Sequence, residues 1–207
     1  MVMYSLSRPI SDVPFVARES ARGVVVGNKC GRDFLYYALH FLRPTESAVM
    51  VQSPCTLETR AMFGPPVPSW LAWTMIQFWR APRYLRSIDL RWTINGVQIK
   101  SYWSLVRAIV TAQLSYDDAM TLVESRIQTN QVVGIDISLG WGGLLDHVVF
   151  VYGYDAESLY VFDTHRVAAL EYEPLIESYY FRLPKTIVKQ RWTRFGRVWT
   201  LDDASAQ

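Results

Sequence analysis

Histidine and cysteine are scarce, three and two among 207 residues, and none has the close Cys-x-x-Cys or His-x-x-x-His spacing of a metal site. A structural zinc would have to be assembled from scattered ligands, so neither a metal nor a cofactor is expected. Cys30 and Cys55 allow one disulfide at most, and a chain with half its residues apolar does not need that staple, so both thiols are read as reduced. Long runs of one charge are missing too. The formal charge of +2 is spread along the chain, and no nucleic-acid partner is expected. Met1 to Pro9 lacks a basic start followed by an apolar run, so no secretory signal is read and a cytoplasmic location is expected. The most apolar stretch, Val67 to Trp79, is broken by Pro68, Thr74 and Gln77. It falls short of the roughly 20 residues that span a bilayer, so no transmembrane segment is expected. No internal repeat or low-complexity tract is present.

What the chain does have is apolar and aromatic mass enough for one sizeable core, so residues 1–207 are read as a single domain. Residues 1–27, with Pro9, Pro14, Gly23 and Gly27, read as an irregular arm holding one apolar segment, Val24 to Val26. From Asp33, the residues Phe34, Leu35, Ala38, Leu39, Phe41 and Leu42 recur near helical spacing until Pro44. Cys30 sits at the start of that helix. Ala48 to Gln52 suggests a short strand, Gly64 to Pro68 a break, and Ser69 to Arg80 a helix ended by Pro82. Trp70, Trp73 and Trp79 either pack a core helix or line a groove, and the Trp-rich region 67–103 is the candidate surface for a protein partner. Asp89 to Ile94, Asn95-Gly96 and Val97 to Ile99 carry the strongest short hairpin signal, expected to lie peripheral to the core.

Tyr102 to Leu114 reads as a helix, and Ser115 caps a further one whose face is Ala119, Leu122, Val123 and Ile127. Strands are expected at Val132 to Ile137, His147 to Tyr152, Leu159 to Phe162, Arg166 to Leu170, Tyr179 to Arg182 and Arg197 to Leu201, with a loose tail over 202–207. Helices first and strands later is the order of an α+β domain with an antiparallel sheet.

Three residues carry the chemistry. A thiol in the first turn of a helix feels unpaired backbone N–H groups and the positive end of the macrodipole, and both favour thiolate. His147 and Asp163 lie 16 residues apart on the expected arms of one hairpin, and an even register puts them on one face. The carboxylate can fix the imidazole tautomer, leaving the other ring nitrogen to take the thiol proton. The helix bearing Cys30 is then expected to pack on that face. Each residue also has a plainer reading, Cys30 as a small core hydrophobe, His147 as a satisfied strand residue and Asp163 as a strand end. His165 shares the alternation of Asp163 and competes as base. His40 lies about 15 Å along the helix from Cys30 and is a poor partner, and Cys55 is read as structural. Gly140-Trp141-Gly142-Gly143 leads into a strand, whereas a phosphate loop opens a helix. It is read as shaping a cleft beside His147, with Gly31, Trp141 and Gly142 as cleft residues.

The segment Asp146 to Asp155 followed by Leu159 to Asp163 resembles the histidine and aspartate block of the C39-like branch of papain-like cysteine peptidases. Asn28-Lys29-Cys30-Gly31 matches the position of that family's nucleophile, a Cys-Gly at a helix start. The resemblance covers Asn28 to Leu42 and Ser115 to Asp163. It departs upstream of the cysteine, where Val24 to Val26 occupy the neighbourhood of the family's oxyanion-holding glutamine, and after Asp163, where Thr164 stands in place of proline. Asn28 is the nearest amide, and the backbone N–H of Cys30 is a donor that needs no side chain. The resemblance implies a papain-like α+β fold and a Cys30-His147-Asp163 triad that cleaves a peptide or related amide bond through an acyl-enzyme. Acyl transfer to an amine uses the same triad, and a non-catalytic relative that binds a peptide or partner protein is the reading from another class.

Overall fold

The computed structural model describes residues 4–6, 30–43, 78–140, 145–163, 170, 173–175, 180–194 and 196–204. Five helices are present among them, α1 (Cys30–Leu42), α2 (Ala81–Ser87), α3 (Tyr102–Thr111), α4 (Tyr116–Gln128) and α5 (Lys185–Arg191). The strands are β1 (Tyr4–Ser5), β2 (Leu90–Ile94), β3 (Val97–Gln98), β4 (Val132–Gly140), β5 (Leu145–Tyr154), β6 (Ser158–Phe162), β7 (Glu173–Pro174), β8 (Tyr180–Pro184) and β9 (Arg197–Asp203). They form one nine-stranded sheet in the order β3-β2-β9-β4-β5-β6-β8-β7, with β1 beside β5. Every pairing is antiparallel. The domain is therefore α+β, as its order of elements implied. No helix among the described residues is long and apolar enough to cross a membrane.

Local chemistry accounts for most of these elements. Ser115 caps α4 by accepting from the Asp118 amide at 3.1 Å, Asp117 and Asp118 lie in its first turn and Arg126 in its last, so charge follows the helix dipole at both ends. Of the expected face, Ala119, Val123 and Ile127 are buried and Leu122 is partly buried. Ser101 and Ser104 form a reciprocal cap at the start of α3. Asn95 and Gly96 both have positive φ, 49° and 77°, the combination a two-residue hairpin turn requires and Asn-Gly tolerates best.

The sheet is covered on both faces. Trp199, Gly134, Phe150 and Phe162 are register partners across β9, β4, β5 and β6 and form one row under α1. Phe34 meets Phe150 and Trp199, each with ring centroids 5.9 Å apart, over Gly134, where a Cβ would come within 2.6 Å of the ring. Tyr37 meets Phe162 at 4.8 Å. On the other face, Arg126 of α4 reaches Asp202, an odd three residues along β9 from Trp199 and so turned away from α1.

Four sequence expectations change here. Pro82 opens a helix: it lies in the first turn of α2, with Arg80 as N-cap, a position where the missing N–H costs nothing. The hairpin is not peripheral, since β2 pairs with β9 along its length and Leu90, Trp92 and Ile94 are buried. The tail expected to be loose over 202–207 is ordered at its start, with residues 205–207 outside the described residues: β9 runs through Asp203, Asp202 bridges Arg126 at 3.2 Å and Arg91 at 3.8 Å, and Asp203 meets Arg43 at 2.8 Å. Two acids at a chain end look solvated until arginines from three other elements neutralise them. The arm 1–27 is not irregular throughout, because Tyr4 and Ser5 pair with Tyr154 and Gly153. Val24 to Val26, Ala48 to Gln52, residues 69–77 and residues 166–169 lie outside the described residues.

Candidate catalytic site

The β5–β6 hairpin is held at its turn by Asp155. Its Oδ1 accepts from the Glu157 and Ser158 amides at 2.8 and 2.7 Å, and the Tyr160 hydroxyl donates to Oδ2 at 2.9 Å. Burial pushes this carboxyl up, but the three donors outweigh it and hold it below the usual carboxylate range. The register, Phe150 opposite Phe162 and Val151 opposite Val161, places position 163 across from Val149. His147 is the diagonal neighbour on the same face. The even-register expectation therefore holds: His147 Nε2 lies 2.8 Å from Asp163 Oδ2, with both side chains buried. An ionised carboxylate only accepts, so Nε2 carries the shared proton and Nδ1 becomes the nitrogen that can act as base.

Cys30 is the first residue of α1, a buried thiol and not half of a disulfide. The helix packs chiefly on β5 and also touches β4 and β9, so nucleophile and base candidates sit on elements in contact. It does not pack on the face expected. His147 and Phe150 are an odd three residues apart in a stretch of β5 without a bulge, and α1 covers the Phe150 face. His147 therefore faces away from the row under α1, near the Leu145 end of β5. Gly31 is buried, and a Cβ there would meet Phe78 Cζ at 2.9 Å and Trp199 Cη2 at 3.1 Å, so its small size seats the helix start against those rings. Asn28, Trp141, Gly142, Cys55, Thr164 and His165 lie outside the described residues.

Next to this hairpin is a charged cluster that motif reasoning passed over. Arg197 Nη1 donates to Asp136 Oδ2 at 2.8 Å and to Asp146 Oδ2 at 3.2 Å, and Arg197 and Asp136 are buried. The cluster borders the site through the backbone, because Asp146 precedes His147 and Ile137 pairs with it. Asp136 Oδ1, Arg197 Nε and the Trp199 indole N–H have no hydrogen-bond partner among the described residues. The indole is near enough to favour the ionised carboxyl but outside bonding geometry. The missed signal was a carboxylate in the middle of the apolar run Val132 to Ile137, which demands a buried cation.

Burial, reinforced by Asp146 and opposed by Arg197, pushes the Asp136 carboxyl up from 3.8 to about 7. Between these values the unfolded chain has lost a proton that the folded one keeps. The stabilisation from this proton is complete below the unfolded value and is lost as pH rises through about 7. Asp136→Asn is expected to flatten the fall in urea midpoint between pH about 4 and about 7; an unchanged slope would place the titration elsewhere.

No family model, no curated protein and no solved structure matches this chain.

Proposed function

We propose that this chain is a papain-like thiol hydrolase that cleaves a peptide or related amide bond. The observation that carries the reading is the buried His147–Asp163 pair joined through Nε2 at 2.8 Å; the Cys30 helix packs on the other face of the same strand. In the proposed reaction His147 Nδ1 takes the Cys30 proton and the thiolate attacks the carbonyl carbon, forming an S–C bond. The oxyanion is held by the Cys30 backbone N–H, with Asn28 as a side-chain donor. The imidazolium passes its proton to the leaving amine as the C–N bond breaks. Water, deprotonated by the same nitrogen, then displaces the thiolate from the acyl-enzyme. Asp163 holds the imidazole tautomer throughout. An amine in place of that water gives acyl transfer with the same residues, and a thiol nucleophile suits a reducing compartment such as the cytoplasm.

The burial of Cys30, 8% exposed, favours a second reading, a relative that binds a peptide or protein without turnover. An epoxide-bearing peptide separates the two. A hydrolase gives one adduct, on Cys30, in the native protein and none in His147→Ala. A binding relative leaves Cys30 unlabelled until the protein is unfolded.

A further inference from the structure

Net charge is not spread along the chain as expected above but concentrated in one segment. Residues 79–111 carry six cations against the single carboxylate of Asp89, net +5 in a chain whose total is +2. Five of the cations, Arg80, Arg83, Arg86, Lys100 and Arg107, are exposed and make no ion pair among the described residues, whereas Arg43, Arg91, Arg126, Arg182, Lys185 and Arg197 all face a carboxylate. The same segment holds four of the exposed large hydrophobics, Trp79, Val97, Trp103 and Val110, with Trp103 76% and Val110 66% exposed. Helix α3 is apolar nearly all round and has no acidic residue. Leu105 and Ala108 face the core, and Trp103 and Val110, seven residues apart, stand together on the outward side with Arg107 between them. The elements are neighbours: α2 and α3 both pack on β2, and β3 is its edge partner. The Arg80 guanidinium lies 4.6 Å over the Trp79 ring.

We propose that this edge, formed by α2, β3 and α3, is a docking surface for an anionic phospholipid bilayer. Unpaired arginines and lysine match the negative headgroup layer, and indole rings beside cations are the side chains that settle at the membrane–water boundary. The exposed valines decide against a nucleic acid. They gain nothing from a phosphate backbone in water, but lose water to acyl chains when the surface lies on lipid. The docking is peripheral and independent of the Cys30 chemistry.

The test is sedimentation of the full chain with phosphatidylcholine vesicles, with and without phosphatidylserine, at low and high salt. Binding is expected only with phosphatidylserine and to fall on the order of tenfold at high salt. Arg83→Glu with Arg86→Glu weakens it by about tenfold or more, and Trp103→Ser weakens it several-fold with the thermal midpoint unchanged. In wild type, indole fluorescence shifts to the blue on binding, and Trp103→Phe loses much of that shift. No sedimentation with phosphatidylserine at low salt, or sedimentation indifferent to the double reversal, overturns the proposal. Retention by an oligonucleotide or an acidic peptide with none by vesicles overturns it too and assigns the patch to those partners.

Discussion

Asp163→Ala is expected to slow labelling of Cys30 by an epoxide-bearing peptide about 10²-fold or more at neutral pH, whereas Asp163→Asn loses only on the order of tenfold. The contact uses one carboxylate oxygen, Oδ2, at 2.8 Å from Nε2. An amide oxygen can accept the same proton and keep the tautomer, giving up the charge but not the geometry. Alanine removes this acceptor from a site where both groups are buried, so its hold on the ring orientation and tautomer is lost. Rescue by asparagine separates an orienting role from general destabilisation when the thermal midpoints stay near wild type, since general destabilisation would lower labelling in step with the midpoint. Labelling rates, read beside thermal midpoints, decide between the two.

Arg197→Ala is expected to cost about 3–5 kcal/mol of folding stability near neutral pH, the usual penalty for stripping a buried ion pair of one partner. Arg197 is the only cation bonded to the Asp136 carboxyl among the described residues, and it also serves Asp146. Without it, two carboxyls remain with no cation bonded to them, and the remedy open to Asp136 is to keep its proton. The loss is therefore larger at pH about 8 than at pH about 5, where that proton is held anyway. Replacing both partners, Arg197→Leu with Asp136→Leu, is expected to recover much of the loss, because no charge is then stranded at that point. Urea midpoints for the single and double variants at both pH values test this. Additive losses would show that the pair is not coupled.

Local signals carried far in this chain, and long-range ones did not. Ser115, the Asn95-Gly96 turn and the apolar runs of β4, β5 and β6 were legible because capping, positive φ and alternation act within a few residues. The His147–Asp163 pairing was legible for the same reason, since period-two alternation across one hairpin decides it. What failed depends on distant partners. The arginines that order Asp202 and Asp203 come from β2, α4 and the end of α1. The face on which α1 packs follows from Phe34 seating over Gly134, which no periodicity within residues 30–42 reveals. Helix α5 was hidden by its shortness and by Thr186, Ile187 and Val188, β-branched residues that suit a strand as well as one helical turn. Asp136 announced a buried cation without naming it, and Arg197 lies 61 residues away.

The pairing of Cys30 with His147 is the centre of the account, and the most direct test is the pH dependence of Cys30 alkylation, read at the peptide level by mass spectrometry in wild type and in His147→Ala. An activated pair predicts reaction well below pH about 8, where an ordinary thiol is slow, and an upward displacement of the whole profile in the variant. Superimposable profiles, or a Cys30 that reacts only once the protein is unfolded, would contradict it.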